Sequence, residues 1–205
     1  FKDSNGDGIG DFRGIIEKLD YLNDGDPNTS TDLGISGIWL MPIFPSPSYH
    51  GYDVTDYQAV NPDYGTLQDF QDLVEACHER GIRVIIDFVV NHTSSEHPWF
   101  LSAKDKASEY RNWYVWSDVV PSQQGPWGQN AWYQSSGSFY YAPFWSGMPD
   151  LNYNEPKVTE AMYDATKFWL DMGVDGFRVD AARYLVEDGV TLQDSKGSIE
   201  WFQKW

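Results

Sequence analysis

The chain has little cysteine, little histidine and little positive charge. Its single cysteine, Cys77, excludes an internal disulfide, and its place in the helical pattern around Leu73-Val74-Glu75-Ala76 points to a buried thiol, not a reactive one. One thiol leaves the redox compartment open. Only 14 Lys and Arg stand against 31 Asp and Glu, and the formal charge of -17 repels phosphate backbones and anionic lipid surfaces alike. Nucleic acid and membranes are therefore not expected partners, and no obligate protein partner is inferred. No apolar run reaches membrane-spanning length, and no signal peptide precedes Phe1, where the chain opens in mid-motif. An acidic surface fits a secreted or salt-tolerant protein, so an extracellular location is expected over a cytoplasmic one. Flat side chains, in contrast, are abundant: ten Trp and thirteen Tyr in 205 residues, enough chain for one sizeable domain. Flat side chains suit sugar rings.

Short apolar runs alternate with amphipathic stretches. Ile15, Ile16, Leu19 and Leu22 have helical spacing and predict a helix over Phe12 to Asn23, and Ser36 to Met41 reads as a buried strand ending at Pro42. The Pro-, Tyr- and Ser-rich segment from Ile43 to Gly65 reads as a long loop. Thr66 then caps a helix from Leu67 to Arg80 that stops at Gly81. Ile82 to Val90 is the clearest strand, and a helix over Val158 to Met172 precedes a strand over Val174 to Asp180. That order predicts a parallel α/β unit with right-handed crossovers. About sixty residues between His92 and Asn152 carry no strong helical period, many aromatics and several Gly and Ser. Such a length far exceeds a βα connection and implies an inserted subdomain.

The strand that ends in Gly176-Phe177-Arg178-Val179-Asp180-Ala181-Ala182-Arg183 carries the chemistry. A period of two puts Phe177 and Val179 on one face and Arg178 and Asp180 on the other. A carboxylate held close to an arginine stays ionised, and is a fit nucleophile. Asp87 ends the other clear strand. If the sheet closes as a (β/α)8 barrel, both carboxylates point at its catalytic mouth. Taken singly these signals are weak: an Arg and Asp pair also serves as a scaffold, Asp87 as a helix cap and His92 as an interior residue. The aromatics of the insertion, among them Trp127, Trp132, Tyr140, Tyr141 and Trp145, are expected mostly in its core, with one or two lining sugar subsites.

Four ordered segments raise the specificity: Gly51-Tyr52-Asp53-Val54-Thr55-Asp56-Tyr57, Asp87-Phe88-Val89-Val90-Asn91-His92, Met148-Pro149-Asp150-Leu151-Asn152 and Gly176 to Arg183. Together they resemble the catalytic domain of the α-amylase family, glycoside hydrolase family 13. The resemblance implies an α/β fold, a partial (β/α)8 TIM barrel of about strands 2 to 4 with a subdomain inserted after strand 3. Its divisions are then residues 1-92 for the first part of the barrel, 93-152 for the inserted subdomain B and 153-205 for the continuing barrel. It implies Asp180 as nucleophile on the anomeric carbon, with Arg178 keeping it ionised. His92 would bond a hydroxyl of the attacked sugar, Tyr52 would stack beneath that ring, Asp87 and Asn91 would organise the floor, and Asp53 would bind a terminal glucose. The family's general acid, a Glu near the end of strand five, and its Asp after strand seven match nothing in this chain, which is expected to be inactive by itself. Glu155, Glu160, Glu187 and Glu200 lack the acid's context.

At the other end, Asp3-Ser4-Asn5-Gly6-Asp7-Gly8-Ile9-Gly10-Asp11 sets oxygen side chains at alternate positions, as loops around hard cations do. Calcium is the expected structural ion, with magnesium its rival. Gly14 stands where an EF-hand has its bidentate Glu. By resemblance to α-glucosidase-like members, the ligands are Asp3, Asn5, Asp7, the Ile9 carbonyl and Asp11. The Met148 to Asn152 motif is similar to forms between oligo-1,6-glucosidases and neopullulanases. Ala181 resembles the choice in members that cut α-1,4 bonds. The expectation is retaining hydrolysis of α-1,4-glucosidic bonds in starch or maltooligosaccharides. Asp53 favours the alternative of an exo-acting α-glucosidase or a trehalose-synthase-like transglycosylase. An inactive binding subunit is the alternative of another class, and a barrel enzyme using Asp87 and Asp180 as metal ligands would need more His at strand ends.

Overall fold

A computed structural model describes residues 1–189 and 191–205. The chain divides into two compact units that interleave along the sequence. One comprises Phe1–Pro45, Tyr57–Phe88 and Thr166–Arg178, and the other Ser46–Asp56, Val89–Ala165 and Val179–Trp205.

The first unit is built on a three-stranded sheet of β1 (Gly37–Leu40), β2 (Arg83–Phe88) and β6 (Gly176–Val179), in the order β1-β2-β6. β1 and β2 run parallel, in register from Gly37 opposite Arg83 to Leu40 opposite Ile86. Between them lies helix α3 (Leu67–Glu79). Its start is fixed by a capping box: Thr66 accepts the Asp69 N–H while the Asp69 carboxylate accepts from the Thr66 main chain. Its end is followed by Gly81 at φ +71, a left-handed conformation that costs glycine nothing. Phe70, Leu73, Val74 and Cys77 form its buried face, and burial pushes the Cys77 thiol up to about 11, so it is inert as expected.

The rings of Phe44, Phe70, Phe88 and Trp169 make the centre of this core. Phe44 meets Trp169 at 5.5 Å and Phe70 meets Trp169 at 5.2 Å. Trp169, at the end of helix α5 (Pro156–Asp171), is fully buried and donates its indole N–H to the Tyr57 carbonyl at 2.7 Å. That bond lets a polar ring atom enter an apolar core.

Two sequence expectations are corrected. The helix expected over Phe12 to Asn23 is two short ones, α1 (Phe12–Ile16) and α2 (Leu19–Leu22), because Lys18 leaves helical geometry at ψ 5. The carbonyls of Tyr21 and Leu22 then accept the N–H groups of Leu33 and Ile35, which draws the chain away from the helix. The last strand stops at Val179, and Ala181 is left-handed at φ 51, so Asp180 belongs to a turn and not to the strand.

The second unit holds the insertion, which has regular structure after all. It contains helix α4 (Pro98–Ala103) and an antiparallel sheet of β3 (Trp116–Ser117), β4 (Trp132–Ser135) and β5 (Ser138–Tyr141), ordered β3-β5-β4. β4 and β5 are joined by Ser136 at φ 48 and Gly137 at φ 76, two successive left-handed residues that suit a two-residue hairpin. Phe100 stacks on Trp116 at 5.6 Å and meets the edge of Tyr140 at 4.9 Å. Of the aromatics expected in its core, Tyr140 and Tyr141 are buried and Trp132 is half-buried, whereas Trp127 and Trp145 are exposed. Helix α6 (Lys196–Phe202), capped by Ser195, buries Trp201. Among the described residues no helix is long and apolar enough to cross a membrane.

His97 caps α4 by accepting the Trp99 N–H on Nδ1 at 3.1 Å, so this nitrogen carries no proton. Burial pulls its pKa down to about 4. A depressed histidine pKa means the unfolded chain takes up a proton first: stability is full above about pH 6.5, falls as the pH drops below that, and is lost by about pH 4, up to about 3 kcal/mol. An asparagine cap does not titrate. Between pH 7 and pH 4.5 the intact protein should lose about 2 kcal/mol more than its His97→Asn variant in urea unfolding. Parallel losses would show that His97 is not the group responsible.

Candidate active site

In the first unit Asp87 lies on β2 with no exposed side-chain surface. Arg178 on β6 donates from Nη1 to both of its oxygens, at 3.2 and 3.1 Å. Sequence reasoning set Arg178 beside Asp180 and did not foresee this contact with the buried carboxylate of the neighbouring strand. Arg178 also lies 5.4 Å over the Trp39 ring. A carboxylate with no exposed surface requires such a partner, because the lone charge is costly in a poorly solvated interior.

The second unit gathers Tyr52, Asp53, Asn91, His92 and Asp180. Asp53 is buried, and its Oδ1 accepts Ser46 Oγ at 2.6 Å and a short bond from Ser48 Oγ. His50 stands 3.8 Å from the same oxygen, and its Nδ1 accepts the Tyr52 N–H at 3.1 Å. With that lone pair engaged, the His50 proton sits on Nε2 and the contact with Asp53 is not an ion pair. The His50 and Tyr52 rings stack at 6.0 Å.

His92 is buried, and burial lowers its pKa to about 4 against the opposing pull of Asp180 and Asp53. It is therefore a neutral imidazole near neutral pH, able to bond a hydroxyl without bringing a charge. Asp180 is half-buried in the turn after β6. The main chain ties two of the sequence motifs together: His92 and Asp150 form an antiparallel bridge, with Leu151 N–H on the Asn91 carbonyl at 2.9 Å and Thr93 N–H on the Pro149 carbonyl at 3.2 Å.

Sequence reasoning singled out Asn91 but gave no role to Asp150 or Glu187. Both carboxyl oxygens of Asp150 and the Oδ1 of Asn91 are buried, and the Asp150 carboxyl interacts with the Asn91 amide and the Glu187 carboxyl. Burial, then the adjacent Glu187, holds the Asp150 pKa well above the carboxylate range, and burial pushes Glu187 up to about 7. The pair retains a proton at neutral pH, which ionised carboxyls at that spacing would need a cation to replace. The sequence signal for it was the acid within Met148 to Asn152; Glu187 gave none. Among the described residues no group of three His, Cys, Asp or Glu side chains is gathered to hold a metal.

In the opening loop, Asp3 accepts the N–H groups of Asn5, Gly6 and Gly8, Asn5 accepts that of Asp7, and Asp7 that of Ile9. Asp11 caps α1 through Gly14 N–H and accepts Ser4 through its other oxygen. Turns closed by Asp and Asn side chains onto the N–H two residues on account for the alternate spacing.

The whole arrangement matches known proteins. The model of the α-amylase catalytic domain fits residues 1–200. The chain belongs to the α-amylase family. Its fold is part of that family's (β/α)8 barrel: an α-amylase from H. orenii superposes with a TM-score of 0.90 at 57% identity, over 98% of this chain and 41% of that one. Alpha-amylase 3 of Dictyoglomus thermophilum is 49% identical over 100% of this chain and 38% of its own length. A trehalose synthase of Pimelobacter is 46% identical over 91% of this chain and 33% of its own. The α-amylase-family chain thus spans well under half of the proteins it resembles.

The buried Asp87 makes Arg178 a structural necessity of this α-amylase-family domain. Arg178→Met in the intact protein should cost about 2 kcal/mol by removing the guanidinium from that buried carboxylate. Adding Asp87→Asn should recover part of the loss in urea unfolding, since the buried charge is then gone. Strictly additive losses would contradict the pairing.

Proposed function

We propose that the protein to which this chain belongs hydrolyses α-1,4-glucosidic bonds of starch or maltooligosaccharides with retention of anomeric configuration. The observation that carries the reading is Asp180, freed from its strand by the left-handed Ala181 and set among His92 and Asp53 in a chain of this family. Asp180 attacks C1 of the bound glucose, the bond from C1 to the leaving oxygen breaks, and water later releases the sugar from the aspartyl ester. A second carboxyl about 5 Å from the nucleophile must protonate the leaving oxygen. No residue of this chain is assigned that part, and Glu187 is engaged with Asp150. His92 and Asp53 orient the hydroxyls of the attacked ring while Tyr52 lies against its face.

A second reading has support of its own. Asp53 is deeply buried and fixed by two serines, as a group that grips one terminal glucose would be, and a trehalose synthase is among the relatives. That combination favours an exo-acting glucosidase or a transglycosylase using the same Asp180.

Asp180→Asn in the intact protein should lower starch hydrolysis by a factor on the order of 10⁴, measured as reducing ends released. Undiminished hydrolysis would remove Asp180 as nucleophile, and glucose or trehalose as the sole product of the unaltered protein would favour the second reading.

Calcium belongs to the same proposal, held by Asp3, Asn5, Asp7, the Ile9 carbonyl and Asp11 to brace the opening loop. Their oxygens already accept loop N–H groups, yet each oxygen has two lone pairs, so acceptor capacity is left. Calcium added to chelator-treated protein should raise Tm by several degrees, and Asp3→Asn with Asp7→Asn should abolish the rise. An unchanged Tm in the unaltered protein would refute the site.

A further inference from the structure

The second unit carries a chain of aromatic rings that starts at His92 and ends in solvent. Phe144 lies 5.3 Å from the His92 ring. Phe144 and Tyr184 meet edge to face at 5.3 Å, and Trp127 touches both, at 5.4 and 5.3 Å. Four separate segments supply these rings: the stretch after β2, the loop before β4, the loop after β5 and the turn after β6. Phe144 and Tyr184 are half-buried, but Trp127 remains 57% exposed.

Single exposed aromatics are common on protein surfaces and need no explanation. Trp127 differs in two respects. Its ring is backed by two others, so it stands as a braced surface and not a loose side chain. Its loop is also fixed: Gln129 Oε1 accepts the Trp127 N–H at 2.9 Å and Gln129 Nε2 donates to the Pro143 carbonyl at 2.7 Å. The main chain closes the same turn, with Gly125 N–H on the Gln129 carbonyl and Gly128 N–H on the Gly125 carbonyl, both at 2.9 Å. An apolar ring held still in water by bonds to its own loop has already met the ordering cost of a contact.

We propose that Trp127, braced by Phe144 and Tyr184, is the stacking platform for a further glucose unit of the α-glucan, next to the unit attacked by Asp180. The C–H face of a pyranose fits a flat ring, and more than half of the Trp127 surface is open to one. Resting on the function proposed above, this makes Trp127 a determinant of chain-length preference and not of the bond-breaking step.

The test compares maltopentaose with α-glucosyl fluoride, which presents only the attacked unit. In Trp127→Ala the ratio of kcat/KM for maltopentaose to that for α-glucosyl fluoride should fall about tenfold, and Trp127→Tyr should restore most of it. An equal fall on both substrates, or none on maltopentaose, would overturn the platform. Binding gives an independent reading. In Asp180→Asn protein, which leaves the ligand intact, adding Trp127→Ala should weaken maltopentaose binding about tenfold by calorimetry; unchanged affinity overturns the proposal. If the unaltered protein neither cleaves nor transfers glucose yet binds maltopentaose through Trp127, the platform stands and the hydrolase reading falls.

Discussion

The second unit depends on a short main-chain clamp that closes the insertion. Leu151 N–H on the Asn91 carbonyl, Thr93 N–H on the Pro149 carbonyl and Ser95 N–H on the Gly147 carbonyl pin together residues more than fifty apart in sequence. Closing a loop of that length costs only about 0.6 kcal/mol more than closing one half as long. A few buried hydrogen bonds and the rings beneath them therefore suffice. Asn152 N–H on the Trp113 carbonyl and Asp150 N–H on the Tyr141 carbonyl extend the clamp into the insertion. The consequence is chemical: His92 reaches its position at one end of this clamp, and Asp150 faces it from the other.

Burial sets the charge state on both sides. The same loss of water that keeps His92 neutral pushes Asp150 and Glu187 toward their protonated forms. Histidine and carboxyl pKa values thus move in opposite directions for one physical reason, and each shift favours the uncharged species. In the first unit the outcome differs because Asp87 has a guanidinium to accept. Its charge is matched by a partner instead of being removed by a proton.

Much of this was legible in the sequence, for reasons that can be named. Helix α3 was legible because its capping residue, apolar period and terminal glycine all agree. β2 was legible from its apolar core of Val84, Ile85 and Ile86, running into Phe88, most of which is buried. The small sheet of the insertion was not, since β3 and β4 are half-buried and two to four residues long, too short for any period to declare itself. Asp180 was read as the last residue of its strand but lies in the turn after it, because a left-handed alanine at 181 has no sequence signal. The contact of Arg178 with Asp87 was missed for a related reason. Alternation within a strand ranks neighbours along the chain, whereas Asp87 lies across the sheet, ninety-one residues away. The Asn91, Asp150 and Glu187 set arises only when distant loops meet.

The electrostatics of the second unit also restrict what can bind there. Asp53 and Asp180 offer acceptors, and the histidine between them is neutral and contributes no positive charge. Arg183, 5.7 Å over the Tyr184 ring, is already paired with Asp194. An anionic ligand would meet repulsion without compensation, and a cationic one would find its charge poorly matched by flat apolar rings backed by Phe144. A neutral molecule rich in hydroxyl donors suits both parts, with its hydroxyls on the carboxylates and its C–H faces on the rings.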